Sequence, residues 1–356
     1  MRWDFSPELE LYQESVRDWL TAEADTDRVR AWLDTGSGHE FEIAFAEAGW
    51  AGVGFPEAVG GQGGGLLELA VTAEELGRRA APSASWIATA VAGRLLDERL
   101  GAAALGAAEA LVLAVDAHRP PDAPALASLG ADGLVRGEIA RVVGAGAAAS
   151  LVVPASSTEG HVLVLVDAQA QGVTVSPADL LDRSRSAAVV VLDDVAGTVL
   201  PVDAAAELSE AAMRAAVLTA ADALGTMEQM LEITVEYSKQ REQFGRPIGS
   251  FQAVKHTAAE MLVAVEAARS IVMYAASSVD QGMDERAVHA AVAKAQTCAA
   301  AAKVADSALT LHGAIGYTWE HSLHLFYKRA KVDAVLWGSA ATWNERVARS
   351  LPLLPT

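Results

Sequence analysis

Residues 241–252 read REQFGRPIGSFQ and lie between two long alanine-rich stretches of helical composition. Gly245 can take the left-handed backbone that closes a helix, Pro247 stops the helix from resuming, and Ser250 can cap the next one. A helical turn needs no more than that. The stretch adds Arg241 in the last turn of the first helix, Phe244 beside the stop and Gln252 in the first turn of the second. A helix N-terminus presents free N–H groups and a positive end, and a guanidinium beside it suits a diphosphate. The same arginine also suits a purely structural task, stabilising the carbonyls at its own helix end. Spacing alone leaves both readings open.

Outward from the break, alanine-rich segments cover roughly 207–242, 250–281, 285–311 and 320–350. Alanine favours helices and lets them approach closely, so residues 204–356 read as a four-helix bundle. Residues 106–203 differ. ALVLAVDA, LVRGEIARVV, SLVVPA, VLVLVD, AVVVL and TVLP are short β-rich runs broken by Pro, Gly, Asp and Ser. Strand runs in series predict an antiparallel barrel or sandwich, and no GxGxxG follows a strand to support a dinucleotide fold. Residues 1–105 read as helical. Ser6-Pro7-Glu8 is a helix start, and Leu9, Tyr12, Val16, Trp19 and Leu20 recur on one face. GFPEAVGGQGGG (54–65) is too glycine-rich for either regular element. The expected fold class is α+β in the order helical, β, helical.

The chain has 356 residues, 52% of them hydrophobic and 21% charged, which is the composition of a well-cored protein. A net charge of −19 repels phosphate backbones and argues against a nucleic-acid partner. The single cysteine, Cys298, reads as a small core residue and fits a reducing cytoplasm. The N-terminus lacks the apolar core of a signal peptide, and no stretch combines the length and bulk of a membrane span. His321 and His324 are spaced to share a metal on a helix, yet no third ligand stands at helical spacing, so no metal site is expected.

A second stretch, LTLHGAIGYTWEHSLHLFYKRAKVDAVLWGSA (309–340), ends a helix with Gly313, Ala314 and Gly316. Together the two stretches resemble the acyl-CoA dehydrogenase family. The family pattern R-x-x-F-G-x-x-I-x-x-F-Q is met by Arg241, Phe244, Gly245, Ile248, Phe251 and Gln252. The later G-G-x-G-Y is met by Gly313, Ala314, Ile315, Gly316 and Tyr317, with one Gly→Ala departure. GFPEAVGGQGGG followed by AEELGRRAAP, and the helix–β–helix order, extend the resemblance over nearly the whole chain. It implies an FAD-dependent oxidoreductase that desaturates an acyl-CoA thioester to a 2-enoyl-CoA. Arg241, Phe244 and Gln252 would contact the diphosphate and adenosine half of FAD. Gly313, Ala314 and Gly316, from a neighbouring subunit, would close on the same cofactor, with His312 abutting them. An electron-accepting flavoprotein would take the electrons.

The departures matter as much. The T-E-P-x-A-G-S-D segment of the family is not recognisable in DAHRPPDAPALASLGADG. In GEIARVVG, Arg141 takes the place of a flavin-packing Trp and Val143 that of a Ser/Thr hydroxyl. The usual catalytic glutamate falls on Trp337 in LWGS, and an alternative glutamate position falls on Ala215. Glu320 reads as structural, pairing with a base in YKRAK, and Asp222 as a solvated helix-face acid. Trp337 and Trp343 suit a subunit interface or an internal core. Three hypotheses compete. One is a subunit that needs a related partner chain, as in α2β2 members of the family. The second is a homo-oligomeric flavoenzyme with an unrecognised base. The third is a flavin-free scaffold.

Overall fold

The computed structural model describes residues 5–106 and 109–351. Helix α1 (Pro7–Glu23) starts as its sequence dictates, with Ser6 Oγ accepting from the Leu9 amide at 3.3 Å. Leu9, Val16 and Leu20 are buried beneath it. The short α2 (Thr26–Thr35) is capped by Asp25 and stopped by left-handed Gly36. Then follow α3 (Gly38–Glu47), α4 (Leu66–Arg79), α5 (Ala84–Ala92) and α6 (Glu98–Gly106). The glycine-rich 54–65 stretch holds one 3-10 turn and a bridge between Phe55 and Gly63.

Eight strands form one curled sheet: β1 (Ala110–Leu113), β2 (Ala127–Leu129), β3 (Leu134–Val143), β4 (Ala148–Ser157), β5 (Gly160–Asp167), β6 (Val173–Ala178), β7 (Ala187–Ala196) and β8 (Thr198–Val199). Their order is β6-β7-β3-β2-β4-β5-β8, with β1 also on β4. Most pairings are antiparallel, but β1 and β2 both run parallel to β4. Val135, Ile139, Leu151, Val153, Val164 and Val190 fill the sheet's own core.

Helix α7 (Ala204–Gln240) is the axis of the molecule and packs on α4, α9, α8 and α10. Its small residues permit this. A Cβ on Gly225 would meet the Glu74 carbonyl at 1.8 Å, and one on Gly77 the Asp222 carbonyl at 2.2 Å, so α4 and α7 cross backbone to backbone. A hairpin, β9 (Glu242–Gln243) and β10 (Arg246–Pro247), leads to α8 (Gln252–Asp280) and α9 (Arg286–His312). Asp280 at the end of α8 accepts from the Leu66 and Leu67 amides at 2.8 and 2.9 Å, capping α4 from across the fold.

The segment expected as a fourth long helix is two: α10 (Leu323–Asp333) and α11 (Ala340–Ser350). Trp337 at φ 50° and Gly338 at φ 106° turn the chain between them. Contrary to the sequence reading, one helix among the described residues, α8, is by length and composition apolar enough to cross a membrane; valine and alanine supply most of its apolarity, and it packs on α7 and α9. Cys298 is buried, and burial pushes its thiol up to about 11.

Candidate functional site

The break at 241–252 is more than a helix stop. Gln240 ends α7, and the chain then makes a two-residue hairpin whose central residues, Phe244 and Gly245, have φ of 54° and 75°. Two successive positive φ values are the type I′ geometry of a tight hairpin, which glycine accepts and phenylalanine does not favour. Gly245 therefore serves the hairpin and not the helix end, correcting the sequence reading. Ser250 is no cap either. Helix α8 starts with no side-chain cap, and Ser250 Oγ is buried without a partner.

Arg241 is exposed and forms no side-chain hydrogen bond or ion pair among the described residues; only its backbone is used, to Tyr237 and Ile248. Phe244 is 92% exposed, its ring against Phe251 and Phe251 in turn beneath Arg246 at 4.2 Å. Gln252 is exposed in the first turn of α8.

Gly313 ends α9 at φ 63°, ψ −142°, a conformation open to glycine, with nothing within 4 Å of where a Cβ would stand. Ala314 is exposed and Gly316 buried. The Tyr237 hydroxyl, one turn before Arg241, donates to the His312 carbonyl at 3.3 Å. The two motifs thus meet within one chain.

His312 lies between them, stacked on Tyr237 at 4.5 Å and edge-on to His321 at 4.6 Å. Its Nδ1 is 2.8 Å from the Ala308 carbonyl, while its Nε2 is buried with no partner. Burial lowers its pKa, and that of His321 likewise. No three potential metal ligands converge among the described residues.

The second half of the expected site is tied together through backbone. The Ala117 amide donates to the Arg141 carbonyl at 3.1 Å, and the Ala117 carbonyl accepts from the Trp337 amide at 2.5 Å. The position of the flavin-packing Trp and the position of the base are therefore one residue apart through backbone. Arg141 is left-handed at φ 50° and pairs with Asp116 at 2.8 Å. Val143 is buried and carries no hydroxyl. Trp337 and Trp343 are both internal core, with Trp343 Nε1 donating to the Trp337 carbonyl at 3.0 Å. Ala215 is buried in α7.

Beneath this junction is an ionic cluster that the sequence reading missed. Asp222, read as solvated, is buried and accepts from Arg329 at 2.9 and 2.6 Å. Arg185 lies 2.6 Å from Asp222 and 3.1 Å from Asp333. Arg329 also donates to the Ala81 carbonyl, Ser83 and Ser184, so one guanidinium ties all three regions. Lys294 extends the cluster to the carbonyls of Asp333 and Gly338. Burial opposes ionisation of Asp222, but the two guanidiniums hold its carboxyl well below the usual range. Burial and the Asp222 charge push Asp333 well above it. Enclosed on every side, Asp333 is a structural acid. Glu320 is exposed; its carbonyl accepts from Arg30 at 3.0 Å, and its carboxylate pairs with no base in YKRAK.

Cofactor fit divides along the same line. An unpaired arginine, an uncapped helix start and an unobstructed glycine suit the adenosine-diphosphate half of FAD. The Arg141–Ala117–Trp337 junction does not suit the ring half.

Comparison with known proteins agrees with this architecture. The family profile for the acyl-CoA dehydrogenase N-terminal domain matches residues 6–105, and that for the C-terminal domain matches residues 208–351. Acyl-CoA dehydrogenase IpdE2 of Mycobacterium tuberculosis is 34% identical over 344 residues, 92% of each chain. A solved Tcur3481–Tcur3483 steroid ACAD G363A variant is 30% identical with a TM-score of 0.86, covering 96% of this chain and 97% of its own. The ChsE4–ChsE5 complex from Mycobacterium tuberculosis is 26% identical with a TM-score of 0.88 over 100% of both chains. The chain belongs to the acyl-CoA dehydrogenase family. It is an FAD-dependent oxidoreductase.

Proposed function

We propose that this chain is one subunit of a two-chain acyl-CoA dehydrogenase, and that a related partner supplies the catalytic glutamate and the flavin-ring pocket. The observation that carries the reading is the split: an open diphosphate wall at Arg241–Gln252, and a ring and base position tied together through Ala117. That ChsE4 and ChsE5 form a complex of two chains supports it.

The chemistry that bound FAD would supply is acceptance of the hydride that leaves Cβ of the acyl thioester. This chain's part is to hold the diphosphate: Arg241 supplies the counter-charge, the α8 start its free amides, and Gly313 a close backbone approach. Abstraction of the Cα proton falls to the partner. Neither tryptophan at 337 nor alanine at 215 can accept a proton at neutral pH. General-base catalysis contributes about 10²–10⁴-fold, so the lone chain lacks the means for efficient turnover.

The test is co-expression with a glutamate-bearing family member and assay over straight-chain, branched and steroid acyl-CoA esters. The lone chain should be colourless and inactive, and the complex yellow and active. Changing the partner's glutamate to Gln should abolish turnover. Turnover by the homogeneous chain, lost on changing one of its own carboxylates, would overturn the proposal.

A further inference from the structure

A second concavity opens just past the second motif, two residues beyond Tyr317. It runs between α2, the loop joining β6 to β7, and α10, encloses about 190 Å³, and is lined by Arg30, Asp182, Arg183, Trp319, His324 and Lys328 among others. On a chain of net charge −19, three cations gather here. Arg183 and Lys328 have no carboxylate within ion-pair distance among the described residues. Lys328 instead places its ammonium 4.1 Å over the Trp319 ring. Of the two acids in the wall, Asp182 is committed to Ser184 and lies near Arg185 and Arg329, which leaves Asp34.

The wall also holds polar atoms with no partner. Both ring nitrogens of His324 and Nε of Arg30 are buried and form no hydrogen bond. Buried donors and acceptors are ordinarily satisfied by protein or by ordered water, so these three atoms add unmet polar capacity to the wall of the cleft. Trp319 offers a flat surface: it is 70% exposed, with its edge against His324 at 4.8 Å.

We propose that this cleft binds a small planar organic anion, its charged group between Arg183 and Lys328 and its flat part on Trp319 and His324. The cations supply charge-assisted donors, the indole supplies stacking area, and His324 supplies a directional polar contact. The site does not depend on the two-chain reading, since none of these residues is among those assigned to FAD at 241–252 and 313–316.

Histidine resonances report on it directly. The full chain, ¹³C-labelled at histidine, is titrated with benzoate, with inorganic phosphate and with chloride at matched ionic strength; His324→Gln identifies the relevant signal. Benzoate should move that signal saturably. It should also raise the His324 midpoint from about 4, where burial first and then Lys328 and Arg30 hold it, because a nearby anion favours imidazolium. Arg183→Gln and Lys328→Met should each weaken binding about tenfold, the loss of one charge-assisted contact. Trp319→Ala should weaken benzoate more than phosphate. Three results would overturn the site: no saturable shift, an equal shift with chloride, or undiminished binding in the Arg183→Gln/Lys328→Met double variant with a wild-type melting curve. Equal effects of Trp319→Ala on benzoate and phosphate would remove the planar part of the proposal.

Discussion

At the α7–α8 hairpin, seven consecutive residues from Arg241 to Pro247 are exposed, and the side chain of the arginine at their head pairs with nothing among the described residues. At Trp337, one large side chain is 3% exposed and its backbone is bonded on both sides. Both places contain a non-glycine residue in the left-handed region, Phe244 at 54° and Trp337 at 50°. The strain is similar and its setting opposite. At Trp337, packing and hydrogen bonds hold the residue, so the strain is explained by the fold. At Phe244, the type I′ hairpin sets the positive φ, and an exposed phenylalanine in a position that favours asparagine points to a ligand or partner. One region is built to hold itself shut and the other to be completed.

The comparison breaks first if the closed region is not structural. Asp222→Asn removes the partner of two buried guanidiniums, Arg329 and Arg185, and should cost about 3–5 kcal/mol in denaturant unfolding. The same carboxylate sets an acid limit. Its folded pKa is depressed, so its contribution is complete above the unfolded value of about 3.9 and is lost as pH falls through the folded one. Stability should therefore fall as pH drops below about 4, less steeply in Asp222→Asn. An unchanged acid limb would detach the cluster from stability.

Trp337 gives a finer cut. Trp337→Ala should cost about 3–5 kcal/mol, the loss of a buried aromatic. Trp337→Gly should cost about 1 kcal/mol less than Trp337→Ala, because glycine accepts the positive φ. Urea midpoints in which alanine is the better tolerated would show that the left-handed turn is not enforced. Trp337→Glu should not confer turnover on the lone chain, since Arg141 and Val143 still offer the flavin ring neither an aromatic nor a hydroxyl.

The open region should respond in the reverse way. Arg241→Ala should leave the melting curve of the lone chain unchanged and lower FAD retention of the assembled enzyme about tenfold or more, with Gln252→Ala milder. Loss of stability without loss of flavin would make Arg241 a helix-end residue after all.

What was legible in the sequence follows the same division. The α7–α8 break and the 313–316 glycines could be read because their residue types act locally through φ, free amides and charge. Ser6 and Pro7 placed α1 for the same reason. Gly245 and Ser250 were misassigned because a helix stop and a type I′ hairpin both call for a glycine, and only the pairing of Glu242 with Pro247 separates them. The parallel pairing of β1 and β2 with β4 is a matter of topology, and β2 and β6 are too short or too polar to stand out. The turn at Trp337 had no local signature, since tryptophan does not announce a positive φ. The Asp222–Arg185–Arg329–Asp333 cluster was invisible because its members lie far apart in sequence, and each alone resembles a solvated charge.

The smallest effect is the most discriminating. Phe244 stands 92% exposed in the first central position of a type I′ turn. Asparagine tolerates the left-handed region far better, and Asn-Gly is the favoured pair for this turn. Phe244→Asn should therefore stabilise the lone chain by a few tenths to about 1 kcal/mol, even after losing the edge-on contact with Phe251 at 6.0 Å. If the ring is kept for a ligand, the same variant should hold FAD less tightly in the assembled enzyme. A gain in stability paired with a loss of flavin would show that the hairpin carries strain for binding. A gain in stability with flavin retention unchanged would show that the aromatic ring has no part in the site. The diphosphate wall would then reduce to Arg241, the start of α8 and Gly313.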